Sequence, residues 1–119
     1  MLRKVNLLAA AGELDNHWVP ETVDAYNGDV VQVIKVKGEF VWHHHDRTDD
    51  LFLVLEGSVV VQLREGDVEL GVGELLVVPA GIEHCVRADE EAKLLVLEHL
   101  GDIPAGELES FLPPASLER

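Results

Sequence analysis

The chain has 119 residues and a single cysteine, and its 23 acidic side chains against 9 Lys and Arg give a formal charge of −14. That length suits one domain with one modest core, and 47% apolar residues argue against disorder. Such acidity disfavours nucleic acid and anionic membranes as partners, no apolar run is long enough to cross a bilayer, and a lone cysteine forms no internal disulfide. The first residues, MLRKVNLLAAAGEL, are too short and too polar an apolar stretch for a signal peptide, so the expected location is the cytoplasm.

In chain order, NLLAAAGELDNHW predicts one short helix, with Asn6 as its N-cap and Gly12 near its end. DVVQVIKVK (29–37) is rich in β-branched residues and closed by Gly38, and EFVWHHH (39–45) follows as a further predicted strand. LFLVLEG (51–57), SVVVQLR (58–64), VEL (68–70), LLVV (75–78), HCVRA (84–88) and AKLLVLEHL (92–100) continue the series. Short runs separated by Gly, Pro and Asp, with no helical periodicity between them, predict an all-β sandwich or barrel. The expected organisation is an N-terminal segment over 1–28 packing on a barrel over 29–100, then a tail over 101–119 that packs as an arm on the domain or on a partner subunit, or frays.

The histidines carry the chemistry. Side chains alternate along a strand, so His43 and His45 face one way while Trp42 and His44 face the other. An i, i+2 histidine pair on the inside of a small barrel is a chelating pair. His84 follows the Pro79–Gly81 turn, and alternation puts it on one face with Val86 and Ala88, opposite Cys85 and Arg87. Cys85, with no cysteine neighbour, reads as a buried structural thiol. Trp18 and Trp42 read as core or interface anchors rather than a stacking pair for a ligand. Tyr26, Glu39, Glu56 and Glu98 read as surface or hydrogen-bonded edge residues, and His17 and His99 as non-ligands.

GEFVWHHHDRTDDLFLVLEG (38–57) and GELLVVPAGIEHCVRA (73–88) resemble the two motifs of a small single-domain cupin, the RmlC-like, cupin-2 type of conserved barrel. The resemblance implies a jelly roll (a double-stranded β-helix) with a short N-terminal helix. It also implies a metal held by His43, His45, Asp50 and His84. Asp50 stands where the family keeps a glutamate, one methylene shorter, and Ala88 stands where it keeps an asparagine. The shorter carboxylate can bind directly, bind through water, or leave a three-histidine site, with Asp49 as the alternative carboxylate.

Three imidazoles and one carboxylate suit Fe, Ni, Mn, Co, Cu or Zn rather than Mg or Ca. The expected function is a metalloenzyme acting on a small organic molecule by oxygenase or isomerase chemistry, and the alternative is a non-catalytic small-molecule binding cupin. Val36, Val86 and either Phe52 or Leu53 are the expected pocket wall. The resemblance further implies a homodimer.

Overall fold

The computed structural model describes residues 2–99, so the tail expected over 101–119 lies outside the described residues. Helix α1 spans Leu7–Gly12, and Asn6 caps it by accepting from the Ala9 amide at 3.0 Å. Seven strands follow: β1 Glu21–Tyr26, β2 Asp29–Glu39, β3 Asp50–Glu56, β4 Ser58–Leu63, β5 Val68–Gly71, β6 Leu75–Val78 and β7 His84–Glu98. The architecture is the expected all-β jelly roll with one short helix.

Three elements differ from the sequence expectation. Residues 21–26, expected within the segment that packs on the barrel, form β1 and pair antiparallel with β2. The separate strand expected over 39–45 does not form: β2 ends at Glu39, and beyond it His43 makes one isolated bridge to His84. The runs 84–88 and 92–98 are one strand, β7, rather than two. Ala88 pairs with Gly38 and Ala92 with Val36, so Asp89, Glu90 and Glu91 make a corner opposite Lys37.

That corner shapes the barrel. One half of β7 pairs with β4, the other pairs with β3, and both halves pair with β2. The corner sets three residues against one, an even excess of two, so alternation resumes in phase. The inward positions of β7 are His84, Val86 and Ala88, then Ala92, Leu94, Val96 and Glu98, all buried. Asp50, Phe52 and Val54 are the inward positions of β3, and Val30, Gln32, Ile34 and Val36 line up on β2. Most of these are Val, Leu or Ala and join Val59, Val61, Leu70 and Val78 in the core. The hydrophobic term therefore holds the barrel closed, and the polar inward residues are the exceptions to explain.

Gly57 makes the tight β3–β4 turn possible. Its φ is +82°, and an added Cβ would meet the Glu91 carbonyl oxygen at 3.0 Å and Ala92 Cβ at 3.1 Å.

Candidate metal centre

His43, His45, Asp50 and His84 each offer a ligand atom, and these four atoms lie within 4.8 Å of one another. Asp50 opens β3 and His84 opens β7, both at inward positions and almost fully buried. His43 and His45 reach the same point from the 40–49 connection. Their placement comes from hydrogen bonds to the second motif rather than from a strand ladder. His43 N donates to His84 O at 3.0 Å, His84 N donates to His43 O at 2.9 Å, and Gly81 N donates to His45 O at 2.7 Å. The i, i+2 reading of the histidine triplet thus holds in space although its strand does not form. His44 is exposed and turned to Asp46, 2.9 Å away. Asp49 is also exposed: it accepts from the Ala80 amide at 2.9 Å and so braces the turn before His84.

Two of the imidazoles are oriented by backbone carbonyls. His43 Nδ1 donates to Val41 O and His84 Nδ1 to Ile82 O, each at 2.9 Å. A carbonyl only accepts, so each Nδ1 carries the ring proton and each Nε2 turns a lone pair to the cluster. Burial drives the His43 imidazole down to about 4, which keeps it neutral at physiological pH.

Asp50 Oδ2 lies 2.9 Å from His45 Nε2 and 3.1 Å from His84 Nε2. Burial pushes this carboxyl up, but its bonds to His45 and His84 outweigh that and hold it down at about 2. His84 Nε2 therefore meets an ionised oxygen, acceptor to acceptor, unless a second proton or a cation stands between them. Two donors bound at right angles about 2.1 Å from one ion lie roughly 3.0 Å apart, so the spacing fits adjacent ligands of a divalent metal. The donor set fits the group that the motifs imply.

A carboxyl that the sequence reading left at the surface or on a hydrogen-bonded edge also lies here. Glu98 is buried at the end of β7, with Oε1 3.9 Å from His45 Nε2. Burial, and then the charge of Asp50, push its carboxyl up to about 8. His84 and Glu98 are 14 steps apart, roughly 46 Å along a straight strand at about 3.3 Å per residue, yet both stand beside Asp50. The curl of β7 brings its two ends together. The signal was available in AKLLVLEHL, because the phase that buries Leu94 and Val96 also turns Glu98 inward.

A cavity of about 50 Å³ adjoins the cluster, its lining including His43, Asp50, Glu98 and Gln32 among Val36, Phe52, Val86 and Leu94. The wall residue on β3 is Phe52, not Leu53. Trp18, expected as an anchor, also lines it. Its backbone is left-handed at φ +64°, which a bulky side chain rarely adopts. Hydrogen bonds from Trp18 N to Lys35 O and Nε1 to Lys37 O, both 2.8 Å, hold it there. Its ring stacks on Phe40 at 5.0 Å, and Phe40 meets His43 edge-on at 5.6 Å.

The remaining sequence candidates lie elsewhere. His17 pairs with Glu91 and His99 with Asp29, each at 2.8 Å. Tyr26 is exposed, and Glu56 pairs with Lys93 at 2.8 Å. Trp42 lies under the Arg64 guanidinium at 3.8 Å, and Cys85 is buried as a free thiol.

Residues 30–98 match the family model for the cupin domain. The chain belongs to the cupin family. YdbB of Bacillus subtilis is 31% identical to it over 100 residues, covering 83% of this chain and 88% of that one. The crystal structure of a cupin-2 domain containing protein from Shewanella frigidimarina superposes with a TM-score of 0.77 at 36% identity, covering 79% of this cupin and 92% of that chain. Acireductone dioxygenase of Rhodopseudomonas palustris is 32% identical over 65 residues, which is 51% of this chain and 39% of that enzyme. No helix among the described residues is long and apolar enough to cross a membrane.

Proposed function

We propose that this cupin is a metal-dependent oxygenase. It holds one divalent transition metal on His43, His45, Asp50 and His84 and acts on a small organic molecule in the adjoining cavity. The observation that carries this reading is the meeting of Asp50 Oδ2 with two imidazole nitrogens at 2.9 and 3.1 Å, beside a mainly apolar cavity. The stretch shared with acireductone dioxygenase favours oxygenase over isomerase chemistry. Fe, Ni, Mn, Co, Cu and Zn all suit the donor set.

A metal held there would supply a Lewis-acidic centre for substrate and O₂. The protein's own residues supply the rest. Val41 and Ile82 carbonyls orient the His43 and His84 rings, and Asp50 brings the one ionised oxygen. Trp18, Val36, Phe52 and Leu94 keep water from the reacting atoms and strengthen every polar contact there.

The test loads chelator-stripped protein with each of the six metals and measures bound metal and O₂ uptake with enediols, hydroquinones, diketones and sugars. One metal per chain and O₂ uptake with a redox-active metal, but not with Zn, is the expected result. No stoichiometric metal under any loading condition overturns the metal reading. Metal and ligand binding without turnover would make the protein a small-molecule binding cupin.

A further inference from the structure

Two buried polar side chains near the metal centre have no part in the ligand set above. Gln32 and Glu98 are 1% and 6% exposed, on β2 and β7, at inward positions otherwise held by Val30, Ile34, Val36, Leu94 and Val96. A buried polar group without good hydrogen bonds costs about 1–3 kcal/mol, and Leu or Met would fill either position at no such cost. Gln32 Nε2 reaches Thr22 Oγ1 only at a long 3.4 Å, and Glu98 Oε2 has no hydrogen-bond partner among the described residues. Barrel packing explains neither side chain, although Glu98 does have a polar neighbour in the Asp50 carboxyl of the metal centre.

Their placement gives them a direction. Glu98 pairs with Val30 and Gln32 with Val96, so the two are diagonal neighbours, roughly 7–8 Å apart along one ladder. Both line the cavity. Glu98 stands at its metal end, 3.9 Å from His45 Nε2, and Gln32 stands one step further along. The same lining holds Val36, Phe52, Val86 and Leu94, so a molecule in this space meets polar groups at Glu98 and Gln32 and hydrocarbon around them.

We propose that Glu98 and Gln32 form a recognition edge for the substrate's second oxygen. A substrate places one hydroxyl or carbonyl oxygen on the metal and presents a neighbouring hydroxyl to Glu98 and Gln32, with its apolar remainder against Val36, Phe52 and Leu94. The class is a small molecule with adjacent oxygens, such as an enediol, a catechol or an α-hydroxyketone. The proposal rests on the metal reading above and adds to it the residues that select the substrate.

The test uses Co²⁺-loaded protein under argon, with the visible Co²⁺ bands reporting binding of catechol and of phenol, its one-oxygen analogue. A lost hydrogen bond of about 1.4 kcal/mol is about tenfold in affinity. E98L and Q32L should each weaken catechol about tenfold, leave phenol and Co²⁺ affinities within about twofold, and melt no lower than wild type. E98Q, which keeps a hydrogen-bonding oxygen, should retain catechol affinity within about threefold. Catechol affinity unchanged in both leucine variants overturns the proposal. So does an equal loss for catechol and phenol, or a loss of Co²⁺ in E98L, which would make Glu98 a support or ligand of the metal instead. Should E98L fail to fold, Q32L carries the same comparison. A wild-type protein that takes up no Co²⁺ fails at the metal titration, before any probe is added, and overturns the metal reading together with this one.

Discussion

Asp50 and His84 are mounted on strands, whereas His43 and His45 hang from the connection between β2 and β3. The first pair inherits its direction from strand ladders, although burial does not separate the mounts, since His45 is 3% exposed beside 2% for Asp50 and 1% for His84. The second pair is stitched to the other motif by a few hydrogen bonds between 2.7 and 3.0 Å. A strand mount makes a ligand part of the core. A stitched mount makes it part of the site, able to open locally while the barrel stays folded. A metal bound as proposed would tie the two mounts together, and its binding should stabilise the connection more than the barrel.

The largest effects should separate the two mounts. His84→Ala removes a buried ring packed against Phe52 and leaves a cavity, so chelated protein should lose about 2–3 kcal/mol, near 10 °C in Tm, and metal affinity should fall about 100-fold or more. His43→Ala should cost as much in metal affinity but under about 1 kcal/mol in stability. Thermal melts with chelator present, beside metal titrations, check both. Equal losses of Tm would mean that the connection is as much core as the strands are.

Asp50→Asn comes next. It keeps the shape and removes the charge, so metal affinity should fall about 10–100-fold while the barrel remains folded. If affinity does not change, the working site is three histidines, and the shorter carboxylate is not a ligand.

A smaller effect should appear with pH in chelator-treated protein. Glu98 is pushed from 4.5 up to about 8 in the folded chain. Between those values the unfolded chain releases a proton that the folded one keeps, so this group's contribution to stability falls as pH rises through that window. E98Q has no such group. Its Tm relative to wild type should climb from pH 5 to pH 8 and level off above. A constant difference across the window would show that Glu98 titrates normally and is better solvated than its burial implies.

The strand-mounted half of the site was legible for a simple reason. Period-2 alternation survives any error in strand ends, so His84, Val86 and Ala88 could be phased from the Pro79–Gly81 turn alone. The same arithmetic applied to 92–98 and to 29–37 yields Glu98 and Gln32. They were missed because a carboxylate or amide defaults to the surface when its strand is not followed to the end. The connection was legible only in part. His43 and His45 were paired by a strand that does not form, and they meet because the 79–84 turn, nearly 40 residues on, offers them bonding partners. β1 was missed since ETVDAY has little apolar surface and pairs as an edge strand, mostly exposed. The β7 corner was not visible because Asp89, Glu90 and Glu91 read as a break, whereas they sit on the outside of a bend.

The smallest expected effect is the one that tests alternation within the triplet itself. His44 is exposed and its partner Asp46 is more exposed still, a pairing that screening by water leaves with little weight. Its ring belongs neither to the four-residue cluster nor to the cavity lining. His44→Ala should therefore change metal affinity by less than about twofold and stability by under about 0.5 kcal/mol. The control is sharp because the substitution sits between two positions where the same change should abolish tight metal binding. A variant that lost metal as His43→Ala does would mean that the connection turns over in solution and presents the middle imidazole. The stitches to His84 and Gly81 would then be too weak to hold the pair, and the contrast between the two mounts would widen into a difference in which residues bind at all.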